Sequence, residues 1–260
     1  MPLSPAQLSQ YHEEGYAVGD RILDDAELAR LRQEIDQLIA SLPPGKRPEN
    51  MSSVHYGHPY FRDLFLSDKL LDIAEQLLGP DLALFTSYII SKRPNDGLAV
   101  AWHQDAAFFP IEPMETFTLW LAADDADVEN GCMRVIPSSS KTLYPHHVDN
   151  TSATTLPLSL DGIDLSQARD VELRAGQFSV HNPFVFHGSN ANHSPRRRCG
   201  ITIKYVPTHI HIDRDYISPT NFDWRNINLF WARGEPGENI YANLPPADQL
   251  ATPVVANATR

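Results

Sequence analysis

Basic side chains, cysteines and long apolar runs are all scarce in this sequence. There are 21 Lys and Arg residues against 33 Asp and Glu residues, for a formal net charge of −12. The negative electrostatic field of such a protein repels polyanions, which argues against nucleic acid and acidic membrane surfaces as partners. No run approaches the ~18 apolar residues that span a bilayer, and the opening residues lack the pattern of a targeting signal. The composition therefore favours a small-molecule partner and no membrane.

Cysteine usage indicates the compartment. Cys132 and Cys199 are the two cysteines of the chain, and their contexts resemble neither a disulfide framework nor a zinc site. This is typical of a reducing environment and predicts a cytoplasmic protein. The length of 260 residues suits one large domain, so we expect a single domain over residues 1–260. Nothing in the sequence points to a particular oligomeric state.

Residues 1–80 predict a mainly helical segment. Ser4 and Gln7 form a capping-box start around a proline, and Gly15 supplies a left-handed stop. Asp24 followed three residues later by Glu27 predicts the start of a second, amphipathic helix. These signals place at least two helices ahead of the rest of the chain.

The sequence pattern changes after a third predicted helix, which runs from about Ser67 to Gly79. Short β-branched and aromatic runs then alternate with turn residues: LALFTSYIIS, LAVAWHQD, TFTLWLAAD, CMRVIP, ARDVELR, GQFSVHN, FVFHGS and CGITIKYVP. Many short strands without intervening helices predict an antiparallel sandwich or barrel. From residue 217 onward the periodicity fades, so we expect an irregular C-terminal cover that frays after Pro253.

The segment AWHQDAAFFP contains a candidate pair of metal ligands. On a strand, His103 and Asp105 would point to the same face and present an imidazole beside a carboxylate. A polar pair at a strand end explains the same two residues. The same spacing occurs twice more, at His147 with Asp149 and at His211 with Asp213. The pair alone therefore does not decide between the two interpretations.

A later segment distinguishes the first pair from its copies. In FVFHGSNANHSPRRRCGITIKYVP, His187 ends an apolar strand and Arg198 follows eleven positions later, ahead of another strand. Two histidines and one carboxylate form a facial triad that leaves coordination positions of Fe(II) open, and a guanidinium can clamp a carboxylate in a bidentate manner. The pair at His103 leaves room for intermediate strands before His187, whereas the two copies lie too late in the chain.

Here the chain resembles the phytanoyl-CoA dioxygenase family of Fe(II)- and 2-oxoglutarate-dependent oxygenases. The resemblance runs from YHEEGYAVGDRILDDAELARLRQEIDQLI through WHQD and NGCMRVIPSSSK to HGSNANHSPRRR. It implies an α+β fold with a double-stranded β-helix core, also called a jelly roll or cupin-like fold. Helices over residues 1–80 would flank a core at 81–216, with residues 217–260 as the cover.

The resemblance also implies roles for individual residues. It matches His103, Asp105 and His187 to the iron ligands, which are also the catalytic centre, and Arg198 to the arginine that pairs with the distal carboxylate of 2-oxoglutarate. Four further residues match positions that line or hold the co-substrate: Lys92, Gln104, Trp120 and Ser189.

One loop departs from the family pattern, in which Pro-Gly-Ser-His follows the hairpin. This chain has Pro137 and then Ser138, Ser139 and Ser140, so the loop glycine and histidine are missing. The departure concerns the conformation of the local turn and does not involve the predicted metal ligands.

The implied reaction consumes O2 and 2-oxoglutarate, releases succinate and CO2, and hydroxylates a substrate C–H bond. Relatives that chlorinate replace the ligand carboxylate by a small residue, and this chain keeps Asp105, which favours a hydroxylase. If Arg198 faces the interior, strand parity places Lys204 on the same face, where it could receive an anionic group with Lys92 or Arg134. Lysines paired on outward faces explain these residues equally.

The substrate expectation is accordingly a small polar or anionic metabolite, and possible classes include phosphonates. The alternative from a different class is a jelly-roll binding or metal-sensing protein without turnover. Two further alternatives stay open. His181 belongs either beside the metal ligands or to the structural core, and the segment NFDWRNINLFWARG either closes over the mouth as a lid or plugs a sheet edge.

Overall fold

The computed structural model describes residues 2–139, 142–149, 154–156, 158–160, 162–217, 223–237 and 240–241. The helices are α1 (Pro5–Glu14), α2 (Asp25–Ala40), α3 (Val54–Gly57), α4 (Pro59–Phe65) and α5 (Asp68–Leu78). Among the helices of this described part, none combines the length and the apolar composition needed to cross a bilayer.

The strands form two principal sheets and two short pairs. They are β1 (Tyr16–Gly19), β2 (Met51–Ser52), β3 (Leu82–Lys92), β4 (Val100–His103), β5 (Ile111–Glu112), β6 (Phe117–Ala122), β7 (Met133–Val135), β8 (His147–Val148), β9 (Leu158–Ser159), β10 (Arg169–Val171), β11 (Phe178–His181), β12 (His187–Ser189), β13 (Arg198–Pro207), β14 (His211–Ile212), β15 (Leu229–Arg233) and β16 (Ile240–Tyr241). The larger sheet has the order β1-β11-β6-β13-β3-β15-β16, with β2 on β3, and the smaller has the order β10-β7-β12-β4.

The predicted helix ends are confirmed by their caps. Ser4 accepts from the Gln7 backbone N–H, the Gln7 side chain accepts from the Ser4 N–H, and α1 ends at Gly15 with φ +81°. Asp24 and Glu27 make the same reciprocal pair at the start of α2. Each cap satisfies backbone N–H groups that the first helical turn leaves without partners.

The central strand β13 separates two environments. It lies between β6 and β3 in the larger sheet, and all of its residues are buried. Ile201 and Tyr205 pack on the helical side, where the Tyr205 hydroxyl donates to the Phe65 carbonyl oxygen at 2.6 Å. Because alternate side chains point to opposite faces, Arg198 and Lys204 lie on the inner face, toward the smaller sheet. The double-stranded β-helix is confirmed, and its inner faces enclose the site.

Residues 1–80 contribute strands as well as helices. The strand β1 runs antiparallel to β11 at the edge of the larger sheet, with Tyr16 opposite His181. The short helices α3 and α4 were not anticipated, because four- and seven-residue helices contain too few turns to show an amphipathic period. The N-terminal segment thus completes the sheet as well as covering it.

The described part of the C-terminal segment extends the larger sheet. Strand β15 pairs with the start of β3, placing Phe230 opposite Leu84 in the core. Trp224 stacks on Phe85 with ring centroids 5.5 Å apart, and Trp231 remains 38 % exposed. These contacts correspond to the edge-plug alternative rather than to a lid. The expected fraying after residue 253 lies outside the described residues.

Candidate metal centre and co-substrate pocket

The smaller sheet brings His103, Asp105 and His187 together. His103 ends β4 and His187 begins β12, and the two residues lie directly opposite each other in the antiparallel pairing. Their ring centroids are 4.1 Å apart. One donor atom from each of the three side chains lies within 4.8 Å of the others, and all three residues are buried. The predicted ligands therefore converge on one point.

The expectation that Asp105 shares a strand with His103 is wrong. Strand β4 ends at His103, and Asp105 begins a 3-10 turn, Asp105–Ala107. The turn is anchored where the Ala106 N–H donates to the Pro183 carbonyl oxygen at 2.9 Å. The carboxylate thus reaches the histidines because the chain turns inward, and not because of strand alternation.

Each histidine is oriented by a backbone carbonyl on its own strand or just before it. Nδ1–H of His103 donates to the Ala101 oxygen at 2.8 Å, and Nδ1–H of His187 donates to the Val185 oxygen at 3.0 Å. These contacts place the ring proton on Nδ1, so each Nε2 lone pair faces the Asp105 carboxylate. Both imidazoles are therefore held in the tautomer that a metal ion requires.

The protonation states also suit a divalent cation. Burial, followed by the neighbouring His103, holds the pKa of His187 well below its usual value. Burial would raise the pKa of Asp105, but Lys204 and the nearby imidazoles together hold it well below its ordinary range. Neutral imidazoles and an ionised carboxylate are the donor set of the facial triad that binds Fe(II). The residues therefore fit this metal.

Arg198 occupies the inner face of the larger sheet as a buried cation. It is 2 % exposed, and among the described residues its Nε and Nη1 have no hydrogen-bond partner. Burial lowers the pKa of Arg198 to about 10, so the guanidinium stays charged at neutral pH. Unused donors on a buried charge are unfavourable unless an anion binds them. The arrangement fits a ligand carboxylate.

The ring of Trp120 packs against the guanidinium of Arg198. The Cζ atom of Arg198 lies 4.6 Å from the centre of the Trp120 ring, a cation–π distance. Gly200 makes this packing possible, because a Cβ at that position would lie 2.1 Å from the ring atom Cζ2 of Trp120. The contacts of Trp120 thus orient Arg198.

Lys92 adds a second basic group beside Arg198. The two residues are directly opposite in the β3–β13 pairing. The Lys92 Nζ donates to Ser189 Oγ at 2.7 Å and to the Asn190 carbonyl oxygen. Burial and then the charge of Arg198 lower the pKa of Lys92 to about 6. A carboxylate bound between them would raise that pKa and recruit both cations.

The side chain of Gln104 is bonded to the backbone of two loops. Its side-chain N–H groups donate to the carbonyl oxygens of Thr142 and Phe184 at 3.1 and 2.7 Å, and its Oε1 accepts from the Tyr144 N–H at 2.8 Å. Both of its donors are therefore used by loop backbone. The observed contacts make Gln104 a brace between the metal strand and two loops, and its role in holding the co-substrate stays a prediction.

The two copies of the His-Asp spacing lie apart from this centre. His147 and His211 are exposed on the short strands β8 and β14. Among the described residues, neither copy joins the cluster of potential ligands. Arg134 also lies outside, paired with Asp170 at 2.9 Å. Of the three basic residues predicted to bind an anionic group, Lys92 and Lys204 therefore remain candidates.

The sequence did not indicate Thr118, whose hydroxyl donates to Asp105 Oδ2. Thr118 precedes Trp120 by two residues on β6, so strand parity could have placed both side chains on one face. Nothing in the local sequence relates that face to Asp105, because the contact crosses from one sheet to the other.

Ser138 retains the backbone shape of the glycine that the family pattern has there. Its φ is +54°, in the left-handed region. The Ser138 N–H donates to the Glu14 carbonyl oxygen at 2.8 Å, and Ser139 Oγ accepts from the Phe186 N–H at 3.0 Å. The loop is thus held to both α1 and the strand of His187 despite the missing glycine.

Ser138→Gly is expected to be more stable than Ser138→Ala. Both variants lose the hydrogen bond from the Ser138 hydroxyl to the Glu13 carbonyl oxygen. Relief of a left-handed side chain contributes ~1–2 kcal/mol, and the added chain entropy of glycine offsets ~0.5–1 kcal/mol. Urea denaturation should therefore show a free energy of unfolding higher by about 0.5–1 kcal/mol for Ser138→Gly than for Ser138→Ala, and equal stability of the two variants would contradict this account.

The fold is a jelly roll that holds a buried His-Asp-His cluster and a buried arginine with unused donors. This combination is typical of the 2-oxoglutarate-dependent non-haem iron dioxygenases. The model of the phytanoyl-CoA dioxygenase (PhyH) family matches residues 11–200, and the chain belongs to this family. Its cofactor is Fe(II), and its co-substrates are 2-oxoglutarate and O2.

Sequence relatives agree with this assignment, and a solved structure shares the fold. The chain is 27 % identical to a probable alpha-ketoglutarate-dependent hypophosphite dioxygenase of Stutzerimonas stutzeri, over 77 % of each chain. It is 28 % identical to L-proline trans-4-hydroxylase of Streptomyces griseoviridis, over 78 % of this chain and 86 % of the relative. The structure of the non-haem monooxygenase ThoJ superposes with a TM-score of 0.74 at 22 % identity, over 90 % of this chain and 86 % of that one, and shares the fold.

Proposed function

We propose that this dioxygenase hydroxylates a C–H bond of a small polar or anionic metabolite, with phosphonates as one class to test, and releases succinate and CO2. A buried lysine beside the ligand cluster is the observation that supports the substrate class. Lys204 is 4 % exposed, and its Nζ lies 3.6 Å from Asp105 Oδ2. A cation at this place can hold a substrate anion next to the metal.

The surroundings of Lys204 suit a small anion. Its Nζ lies 5.4 Å from the centre of the Tyr88 ring and 5.5 Å from that of Phe109. Among the described residues, Asp105 is the one carboxylate within 4 Å of this ammonium, and an ammonium has three donors to place. Aromatic walls with one convergent charge are typical of pockets for small polar ligands.

The names of the relatives support the same class of substrate. One relative is described as acting on hypophosphite and another on L-proline. Each is a small molecule with an anionic group. A cation that faces the pocket suits such a group, and we propose Lys204 for this role.

The proposed roles follow from the geometry of the ligand cluster. His103 and His187 hold Fe(II) through Nε2, and Asp105 holds it through Oδ1, which lies 3.7 and 3.8 Å from the two Nε2 atoms. When bound, Fe(II) and 2-oxoglutarate supply the O2-activating chemistry of the family. The protein keeps its donors in one orientation and one protonation state.

The proposed co-substrate site lies along the start of β13. Arg198 binds the distal carboxylate of 2-oxoglutarate through its unused Nε and Nη1, and Lys92 with Ser189 closes the other side. Trp120 holds the guanidinium in place, and Gln104 braces the strand that carries His103. The polar ends of the co-substrate would thus be fixed at two separate points.

Hydroxylation is the proposed outcome because the chain keeps Asp105, whose Oδ2 accepts a hydrogen bond from Thr118. A halide would require that this coordination position be vacated.

The binding or metal-sensing alternative is not favoured, since the family consists of dioxygenases and the cluster and buried arginine are both in place. We also propose that residues 1–260 form one dioxygenase domain, and a cytoplasmic location stays a prediction.

The experiment is a screen of small phosphonates, amino acids and acyl thioesters with Fe(II), 2-oxoglutarate and O2. A true substrate should release succinate above the uncoupled background and yield a product heavier by one oxygen atom. An anionic compound is expected among the positives. Turnover of neutral compounds alone would contradict the proposed substrate class.

Lys204→Met is expected to weaken binding of the substrate more than binding of the co-substrate. Loss of one charge-assisted contact should raise KM for an anionic substrate by about tenfold or more, at saturating Fe(II). The KM for 2-oxoglutarate should rise by less, because Arg198 is the proposed partner of its distal carboxylate. Lys204→Arg, which keeps the charge, is the matched control and should retain most of the affinity; an unchanged substrate KM in Lys204→Met would exclude this role.

A further inference from the structure

The two oxygens of the Asp105 carboxylate have different surroundings. Oδ1 faces the two histidines, at 3.7 Å from His103 Nε2 and 3.8 Å from His187 Nε2. Oδ2 turns the other way, toward the larger sheet. There it accepts a hydrogen bond from the Thr118 hydroxyl, with Lys204 Nζ at 3.6 Å.

A third group, His181, completes the surroundings of Oδ2. Its Nε2 lies 3.5 Å from Oδ2, and its ring centroid lies 4.3 Å from that of His187. His181 is 1 % exposed and Thr118 2 % exposed. Solvent therefore has little access to this oxygen, and the protein supplies the groups around it.

Strand register explains why these three residues meet. His181 on β11 is directly opposite Thr118 on β6, and Thr118 is directly opposite Lys204 on β13. Side chains that face each other across neighbouring strands lie on the same side of the sheet. The three residues form one polar row across the inner face, which we call the Oδ2 row, and Asp105 reaches it from the opposite sheet.

The Oδ2 row has a consequence for metal coordination. A carboxylate can bind a cation through one oxygen or through both. An oxygen that accepts a hydrogen bond from a buried hydroxyl, with two basic groups beside it, must leave these partners before it can turn toward the metal. With Oδ2 held in this way, Asp105 uses a single coordination position and leaves the others open.

We propose that Thr118, with Lys204 and His181, is a positioning residue that holds Asp105 as a one-oxygen ligand through Oδ1. The inference rests on the proposed metal site and extends it to the groups behind the ligand. Thr118 carries most of the effect, because its hydroxyl makes the short directional contact and lies between the other two residues in the row.

Thr118→Val tests the inference, since it removes the hydroxyl and keeps the shape of the side chain. Co(II) is the probe, added anaerobically to the metal-free full-length protein without 2-oxoglutarate or substrate. The apparent Kd for Co(II) is expected to rise about tenfold to a hundredfold, the usual loss when a partner of a metal ligand is removed. The visible Co(II) absorption should also weaken, because a two-oxygen carboxylate raises the coordination number.

Two further variants separate hydrogen bonding from packing. Thr118→Ser keeps the hydroxyl and should bind Co(II) within about threefold of the wild type. Thr118→Ala lacks both the hydroxyl and the methyl group and should lose as much affinity as Thr118→Val. If Thr118→Ser loses as much as Thr118→Val, packing is the cause and the inference is wrong.

The outcomes also distinguish this inference from the proposed function. Wild-type affinity and an unchanged spectrum in both Thr118→Val and Thr118→Ala would overturn the role of Thr118 and leave the metal site standing. Absence of Co(II) binding by the wild-type protein would overturn the metal site itself, and the positioning role with it.

Discussion

Anaerobic addition of Fe(II) and 2-oxoglutarate is expected to give the wild-type protein a weak visible charge-transfer band, which Asp105→Ala or His187→Ala removes. The band requires both the metal and the co-substrate bound together. Each substitution removes one of three converging protein donors, all of them buried. Metal affinity should fall by more than about a hundredfold, the upper end of the loss seen for outer partners of ligands.

The two substitutions differ in what they leave behind. Asp105→Ala removes the negative charge, so Lys204 faces the remaining imidazoles without its carboxylate partner. His187→Ala keeps the carboxylate, whose Oδ2 is still held by Thr118. Both variants should lose the band. In His187→Ala one of the two imidazole donors is gone, and in Asp105→Ala the Lys204 ammonium, no longer balanced by the carboxylate, disfavours a cation at the metal position.

The chain provides a matched control in its other His-Asp spacings. His211 lies on an exposed two-residue strand, outside the ligand cluster. His211→Ala should therefore keep the band at wild-type intensity. Retention of the band in Asp105→Ala or His187→Ala, in protein shown to contain iron, would place the metal elsewhere.

Local sequence patterns predict which residues of one strand share a face and where helices begin. Alternation along β13 places Arg198 and Lys204 on one face, and the structure has both on the inner face of the larger sheet. The caps of α1 and α2 are equally local, because Ser4 and Asp24 act on residues three positions away. Such relations need no knowledge of the tertiary fold.

The parts that sequence does not predict depend on contacts between distant elements. The Oδ2 row exists only because β11, β6 and β13 are neighbours in the sheet, an order that does not follow the chain. Gln104 illustrates the same limit, since its position between two ligands suggests a role in the pocket. Its actual partners are backbone groups of loops around residues 142 and 184.

Arg198→Ala is expected to raise the requirement for 2-oxoglutarate by orders of magnitude while leaving the metal bound. Breaking a buried ion pair by removal of one partner costs about 3–5 kcal/mol, equivalent to roughly a hundredfold to several thousandfold in affinity. The charge-transfer band titrated with 2-oxoglutarate measures this affinity directly. Arg198→Lys should lie between the wild type and Arg198→Ala, because lysine keeps a charge and loses the two-pronged geometry.

Arg197 supplies the matched control, since it is adjacent in sequence and faces the other side of the sheet. Its guanidinium pairs with Asp124 at 2.7 Å and with Asp36, so Arg197→Ala removes the same charge without touching the pocket. The apparent Kd for 2-oxoglutarate should then be unchanged. If Arg197→Ala and Arg198→Ala weaken the binding of 2-oxoglutarate equally, the loss comes from long-range charge. In that case the unused Nε and Nη1 of Arg198 would not be the donors that bind the carboxylate.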